Sequence, residues 1–205
     1  MGMWRDRAVP RLTDLVLRGE EIDALRAEAC TGLRGHVLEV GFGSGLNLPL
    51  LPAEVERVSA VEPADHGWDL SARRRMESPV PVVRSGLDGQ RLTEPDAAFD
   101  AVLVTFSFCT IPDPAAALRE IRRVLKPGGT LHFLEHGLAP DPGVARWQRR
   151  LDPVQRTVFA GCHLTRDTPA LVQEQGFELD RLRQEYLPGP KVGHPWAYGS
   201  VGVAR

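Results

Sequence analysis

The chain has 205 residues, with 25 Lys or Arg against 27 Asp or Glu, and a formal charge of −2. That length builds one domain around a substantial core, and so even a balance leaves no electrostatic footprint for nucleic acid. No apolar run reaches the roughly 20 residues of a membrane-spanning helix, and Met1–Arg18 is broken by Arg5, Asp6, Arg7, Pro10 and Arg11, which does not suit a signal peptide.

Leu12, Leu15 and Val16 fall at helical spacing, as do Ile22, Leu25 and Ala29, so two short amphipathic helices split at Gly19 are predicted first. His36–Val40 and Val55–Val61 read as buried strands, Trp68–Met76 as a helix, Val80–Val83 and Ala101–Thr105 as strands. Asp113-Pro114 opens a helix with an N-cap acid and a proline at the first helical position, and Leu118, Ile121 and Leu125 line its buried face. "KPGG" (Lys126–Gly129) stops it, and Thr130–Glu135 returns as a strand. Arg146–Val158 reads as a helix interrupted at Pro153, and Thr168-Pro169 starts another that Gly176 ends. Phe177–Leu187 and Trp196–Ala204 are the last strands, joined by the turn-rich Pro188–Pro195. The short basic runs Arg73–Arg75 and Arg149-Arg150 read as solvated helix faces.

Alternating strands and helices specify a doubly wound α/β sheet with parallel strands. Two final strands joined without a helical pattern specify an antiparallel pair at its edge. The expected partition is N-terminal helices over 1–34, a cofactor-binding core over 35–136, and acceptor-side helices with a C-terminal hairpin over 137–205.

"LEVGFGSGLNLPLL" (Leu38–Leu51) carries the chemistry. Gly41, Gly43 and Gly45 end the first strand, where glycine permits positive φ and close approach of a ligand. Glu62 ends the second strand, placed to accept hydrogen bonds from both hydroxyls of a ribose. A dinucleotide turn needs a small residue where Leu46 stands. Glu39 would repel a pyrophosphate but suits a ligand bearing an ammonium or sulfonium charge. S-adenosylmethionine has both charges, an adenosine and no phosphate.

"HVLEVGFGSG", "VSAVEP", "FDAVLVTFSFCTIPD" and "ALREIRRVLKPGGTLHFLEH" resemble the successive motifs of class I S-adenosylmethionine-dependent methyltransferases, from Val37 to about His136. The resemblance implies a Rossmann-like, seven-stranded, mostly parallel sheet with a C-terminal antiparallel strand. It implies that Gly41, Gly43 and Gly45 surround the methionine part of the cofactor, with Glu39 near its ammonium and Asn47 toward its carboxylate. Glu62 would bind the ribose with Pro63 beside the adenine, Gly86, Leu87 or Asp88 would border the adenine edge, and Thr105 and Phe106 would lie under the sulfonium. "WQRRLDPVQRTVFAGCHLTR" (Trp147–Arg166) is similar to the methyltransferase-like 7 family, whose members methylate alkyl thiols. Those animal proteins begin with a membrane anchor that this sequence does not show, and they carry aspartate at the position of Glu62; a soluble, cytoplasmic, bacterial relative is the expectation. An arginine content far above that of lysine suits a GC-rich bacterial genome.

Methyl transfer is an in-line displacement in which the protein supplies position and desolvation. A thiol acceptor needs little beyond deprotonation. His136, past the fifth strand, is the expected base near neutral pH; Asp152 and His163 are further candidates for the same pocket. Arg166 is expected to pair with a carboxylate nearby. Trp4, Trp196 and Tyr198 are candidates to line an apolar acceptor site. Cys30, Cys109 and Cys162 lack disulfide or metal spacing, which suits a reducing compartment and buried, structural thiols. The expected partner is a small molecule, with neither nucleic acid nor membrane and no metal. An O- or N-methyltransferase, a nicotinamide-dependent oxidoreductase, a nucleic-acid methyltransferase and a non-catalytic cofactor-binding module are the alternatives. The oxidoreductase is opposed by Leu46 and Glu39, and the nucleic-acid enzyme by "TFSFCTIPD" in place of a D/N-P-P-Y/F signature.

Overall fold

A computed structural model describes residues 9–187 and 190–205; Trp4 lies outside them. Two helices, α1 (Val9–Val16) and α2 (Glu20–Cys30), precede strand β1 (Gly35–Val40). Then follow β2 (Val55–Val61), α3 (Asp65–Leu70), α4 (Ala72–Glu77), β3 (Val82–Gly86), β4 (Phe99–Thr105), α5 (Pro114–Val124) and β5 (Leu125–His136). The chain finishes with α6 (Pro142–Val158), α7 (Thr168–Glu174), β6 (Leu179–Tyr186), α8 (His194–Ala197) and β7 (Tyr198–Ala204).

The strands form one seven-stranded sheet in the order β3-β2-β1-β4-β5-β7-β6. The first five are parallel, and β7 runs antiparallel to both β5 and β6. This is the doubly wound sheet with an antiparallel C-terminal strand that the sequence predicts. Central parallel strands are covered on both faces, so β1 and β4 are buried almost throughout. Leu38, Val40, Val102, Val104 and Phe133 pack with Leu118 and Ile121 of α5 on one face. Val37, Leu103 and Leu134 pack with Leu25 and Ala29 of α2 on the other. Because side chains alternate along a strand, Glu39 shares the α2 face with Val37.

Several boundaries differ from the sequence expectation, each for a local reason. The helix predicted over Trp68–Met76 is two, because Ser71 Oγ donates to the Trp68 carbonyl at 2.6 Å and breaks the run. Strand β3 begins after Pro81, which has no N–H to give the ladder. "KPGG" is not a separate stop: it bulges within β5, between the pairs Phe99–Leu125 and Ala101–Thr130. Helix α6 is not interrupted at Pro153; it starts at Pro142 and runs through, the proline lying on its exposed side where water can serve the freed carbonyl. The cap of α7 is Asp167, whose Oδ1 accepts from Ala170 N at 3.2 Å, rather than Thr168. Trp196 belongs to α8 instead of the last strand. Among the basic runs, Arg73, Arg149 and Arg150 are exposed, whereas Arg74 donates to the Ser44 carbonyl at 2.8 Å and Arg75 stacks 3.7 Å over the Trp68 ring.

Candidate active site

All five parallel strands deliver their carboxyl ends to one edge of the sheet, the edge where ligands bind in open α/β folds. A cavity of about 890 Å³ opens there. Small-ligand sites span about 300–1,000 Å³, so this one has room for a nucleoside-sized molecule and a small second reactant. It is lined by Gly41, Phe42, Gly43, Ser44 and Leu46 after β1, by Glu62 and Pro63 after β2, and by Leu87 and Asp88 after β3. Thr105, Phe106 and Cys109 after β4 and His136 after β5 complete the sheet side. Leu12, Val16 and Leu17 from the N-terminal segment, and Cys162 and Trp196 from the C-terminal third, close it over.

The glycine turn is built by its backbone. Gly41, Gly43 and Gly45 have φ of +79°, +56° and +74°, values that L side chains rarely adopt. Gly41 also abuts Ser107, leaving no space for a Cβ. Glu62 locks the turn from the second strand: its Oε2 accepts from Gly43 N at 2.6 Å and its Oε1 from Ala64 N at 2.8 Å. Burial raises its pKa, opposed by those two bonds. Each carboxylate oxygen has a second lone pair free for a hydroxyl donor.

Behind the turn lies a buried polar network. Asn47 Nδ2 donates to Glu39 Oε1 at 2.7 Å and to Thr105 Oγ1 at 3.0 Å. Arg26 of α2 donates to Asn47 Oδ1 at 2.8 Å and to Thr105 Oγ1 at 2.9 Å, its guanidinium 5.2 Å from the Phe106 ring centre. Glu39 is 1% exposed, its Oε2 has no hydrogen-bond partner among the described residues, and burial pushes its pKa up to about 7. A buried carboxylate with one idle oxygen is a costly feature that a cationic ligand would relieve.

The β4–β5 side of the cavity carries sulfur and imidazole. His136 Nε2 lies 3.1 Å from Cys162 Sγ. The ligand atoms of Cys109, His136 and Cys162 all lie within 4.8 Å of one another. Cys162 is held toward its thiolate by the hydrogen bond from Cys109 and then that from His136, against the effect of burial. Cys109 keeps its proton; burial pulls the His136 pKa down most strongly of any single effect, but the Cys162 hydrogen bond and the charges of Cys162, Glu135 and Asp152 together push it upward. Glu135 fixes the loop that presents Cys109, accepting from the N–H groups of Ser107, Phe108 and Cys109 at 2.6, 2.9 and 3.3 Å. That loop begins at Phe106, which sits at φ +52°.

The Methyltransferase domain family matches residues 38–133, the stretch that contains the three glycines, Glu39 and Glu62. Thiol S-methyltransferase TMT1B of Homo sapiens is 34% identical over 176 residues, covering 79% of this chain and 71% of that protein. The chain is an S-adenosylmethionine-dependent methyltransferase. The rat thiol S-methyltransferase TMT1B is 32% identical, and the chain spans 64% of its length. A phosphatidylethanolamine N-methyltransferase of Cereibacter sphaeroides is 33% identical, over 69% of this chain and 72% of that one. Among solved structures, a SAM-dependent methyltransferase from Aquifex aeolicus superposes with a TM-score of 0.64 at 16% identity, over 96% of this chain and 98% of that one. Such a likeness speaks for the fold alone.

The methyltransferase's own residues fit its cofactor: the open space at Gly43, where a Cβ would meet nothing within 4 Å, the idle oxygen of Glu39, and Glu62 at the crevice. Of the residues predicted for that site, Gly41, Gly43, Glu62, Pro63, Leu87, Asp88, Thr105 and Phe106 line the cavity. Glu39, Gly45 and Asn47 stand in the layer behind it, and Gly86 accepts from Glu62 N at 3.1 Å. His136 lines the cavity, whereas Asp152 Oδ1 accepts from Leu164 N at 2.7 Å and its Oδ2 faces His163 at 3.4 Å, away from the lining. Among the described residues Arg166 pairs with no carboxylate; it donates to the carbonyls of Phe108 and Ile111. Trp196 lines the cavity and Tyr198 does not.

Three residues escaped the sequence reading. Arg26 falls on the same helical face as Ile22 and Ala29, a charge within an apolar stripe. Glu135 is a carboxylate inside the buried run "LHFLEH". Cys109 acquires meaning only once the fold sets it against Cys162.

Proposed function

We propose that the methyltransferase moves the methyl group of S-adenosylmethionine to the sulfur of a small, largely apolar thiol. The observation that carries this reading is that one cavity holds both the glycine turn above β1 and the Cys109–His136–Cys162 group above β4 and β5. Adjacent strands lie about 4.8 Å apart, so the two features sit about 10 Å from each other, the span of the methionine half of the cofactor and an acceptor atom. The similarity to thiol S-methyltransferases supports sulfur as that atom.

The cofactor supplies an electrophilic methyl group on a sulfonium. In this reading Glu39 neutralises its ammonium, Glu62 holds the ribose hydroxyls, and Phe106 shields the reacting centre from water. Acceptor sulfur and methyl carbon form the new bond while the carbon–sulfonium bond breaks, its electron pair remaining on S-adenosylhomocysteine. The acceptor must lose its proton, and His136 is assigned to its activation. Asp152 is a positioning residue, since its bond to Leu164 N fixes the turn that carries Cys162. The three free cysteines suit a reducing cytoplasm as the compartment.

The test is an acceptor screen that measures S-adenosylhomocysteine release with alkyl thiols, phenols and amines side by side. Turnover of thiols well above the other two classes is the expected result. Turnover confined to amines would transfer the reading to N-methylation, the activity for which the Cereibacter relative is named.

A further inference from the structure

Cys109, His136 and Cys162 come from three separate elements: the loop after β4, the end of β5 and the turn after α6. Their ligand atoms converge to within 4.8 Å, and all three line the cavity. From these observations we propose that the group is a zinc site with an open coordination position, and that the thiol acceptor occupies that position. The proposal rests on the thiol reading above and adds the means by which the sulfur is activated.

The donor set points to the metal. Two thiolates and an imidazole are soft and borderline ligands, which select zinc over magnesium or calcium. With Zn–S near 2.3 Å and Zn–N near 2.0–2.1 Å, a tetrahedral ion spaces its ligands about 3.5–3.8 Å apart. The observed 3.1 Å between His136 Nε2 and Cys162 Sγ needs only a few tenths of an ångström of opening. Structural zinc sites close with four protein ligands, whereas catalytic ones keep three and an open side. Here the open side is the cavity.

The surroundings are built to hold such ligands in place. Cys109 and Cys162 are 2% and 8% exposed. Thr110 Oγ1 lies 3.4 Å from Cys109 Sγ, and Gln155 Nε2 donates to Cys162 Sγ at 3.6 Å while its Oε1 accepts from Trp196 Nε1 at 3.1 Å. Outer partners of this kind orient ligands and tune their basicity. Glu135, through its three backbone hydrogen bonds, fixes where Cys109 can stand.

The reaction balances without an oxidant or reductant. An acceptor R–SH that ligates the fourth position gives its proton to solvent, as thiols do on binding zinc. The bound sulfur then attacks the methyl carbon, and the departing electron pair stays on S-adenosylhomocysteine. The product thioether is neutral and a weak ligand, so it leaves.

The experiment uses the full-length chain, purified reduced and metal-free. Zinc is expected to bind at one equivalent and to raise the melting temperature. Cobalt(II) in its place is expected to give a thiolate charge-transfer band and the visible bands of a tetrahedral ion, which change when an alkyl thiol is added without cofactor. Cys162→Ser, Cys109→Ser and His136→Gln are each expected to weaken zinc binding by about 100-fold or more, and Cys30→Ser to leave it unchanged. Failure of the wild type to take up zinc would overturn the proposal, as would a Cys109–Cys162 disulfide in the freshly purified protein or full zinc affinity in Cys162→Ser. Unchanged thiol turnover after zinc removal would overturn the metal's role and leave S-methylation standing. Stoichiometric zinc with no methylation of any thiol would instead remove the acceptor assignment.

Discussion

Glu135 accepts the backbone N–H of Ser107 at 2.6 Å, across the gap between the ends of β5 and β4. The same carboxylate takes Phe108 and Cys109, so one buried side chain satisfies three consecutive donors. Removing it leaves those donors without partners, at about 1–3 kcal/mol each before relaxation. Glu135→Ala is expected to destabilise the protein by about 3 kcal/mol in urea unfolding and to release the Cys109 loop. Glu135→Gln, which keeps an acceptor oxygen, is expected to recover most of that. As a positioning effect it should raise KM for the acceptor more than Kd for S-adenosylmethionine; equal changes in both would make Glu135 merely structural.

Glu39 gives a pH dependence with a defined sign. Its folded pKa is about 7 against an ordinary value of 4.5, because burial opposes the charge. Between those values the folded state binds more protons, so its contribution makes the free protein less stable as pH rises. Glu39→Gln removes that slope and is expected to melt a few degrees higher than wild type near pH 8, with the gain gone near pH 4. Cofactor binding should reverse the comparison. The ratio of wild-type to Glu39→Gln affinity for S-adenosylmethionine is expected to rise about tenfold between about pH 5.5 and 7.5, one pKa unit being a factor of ten. A flat ratio by calorimetry would remove Glu39 from the ammonium site.

The first two glycines of the turn differ in their surroundings. A Cβ on Gly41 would lie 1.9 Å from Ser107 Oγ and 2.6 Å from its Cβ, whereas one on Gly43 meets nothing. Gly43→Ala therefore carries only backbone strain, about 1 kcal/mol, and a several-fold loss of cofactor affinity. Gly41→Ala adds a collision that moves the turn, and a loss of about 100-fold or more is expected. Gly41→Ala with Ser107→Gly should regain part of it; no regain would place the damage in the dihedral angle alone.

Glu62 and His136 should separate binding from turnover. Glu62→Ala removes the acceptor of Gly43 N and Ala64 N together with the ribose contact proposed above. Hydrogen bonds to a charged group contribute about 1.5–3 kcal/mol, so cofactor Kd is expected to rise about 100-fold. His136→Ala is expected to keep cofactor Kd within about twofold and to lower kcat by about 100-fold. A His136→Ala enzyme with normal kcat on its true acceptor would end the assignment.

What could be read from the sequence was whatever local chemistry decides. Gly41, Gly43 and Gly45 announce positive φ, Asp113-Pro114 announces a cap that forms at 2.9 Å to Ala116 N, and Gly176 ends α7 at φ +80°. Tertiary contacts hid the rest. Pro153 implies a break, yet α6 stays continuous because Gln148 anchors it, bonding Gly137 O, Pro195 O and Ala139 N. The glycines of "KPGG" imply a loop, yet pairing with β4 on both sides keeps them within a strand. Cys162 precedes His163 in the sequence, yet the turn directs its sulfur to His136, a contact that only the fold reveals. A carboxylate amid buried residues marks both Glu39 and Glu135, but only the neighbouring glycines gave the first a meaning.

The place of β7 governs the order in which the molecule can be completed. It lies between β5 and β6, pairing His136 with Gly199 on one side and Glu185 with Gly199 on the other. As the ribosome delivers the chain, β5 holds an unsatisfied edge until residues 198–204 emerge, and β6 has no neighbour at all. Ala197, Gly199 and Val201 also belong to the cavity wall. The chamber is thus sealed by a segment synthesised well after its glycine turn, and a nascent chain can own a finished cofactor cradle before it owns a place for the acceptor.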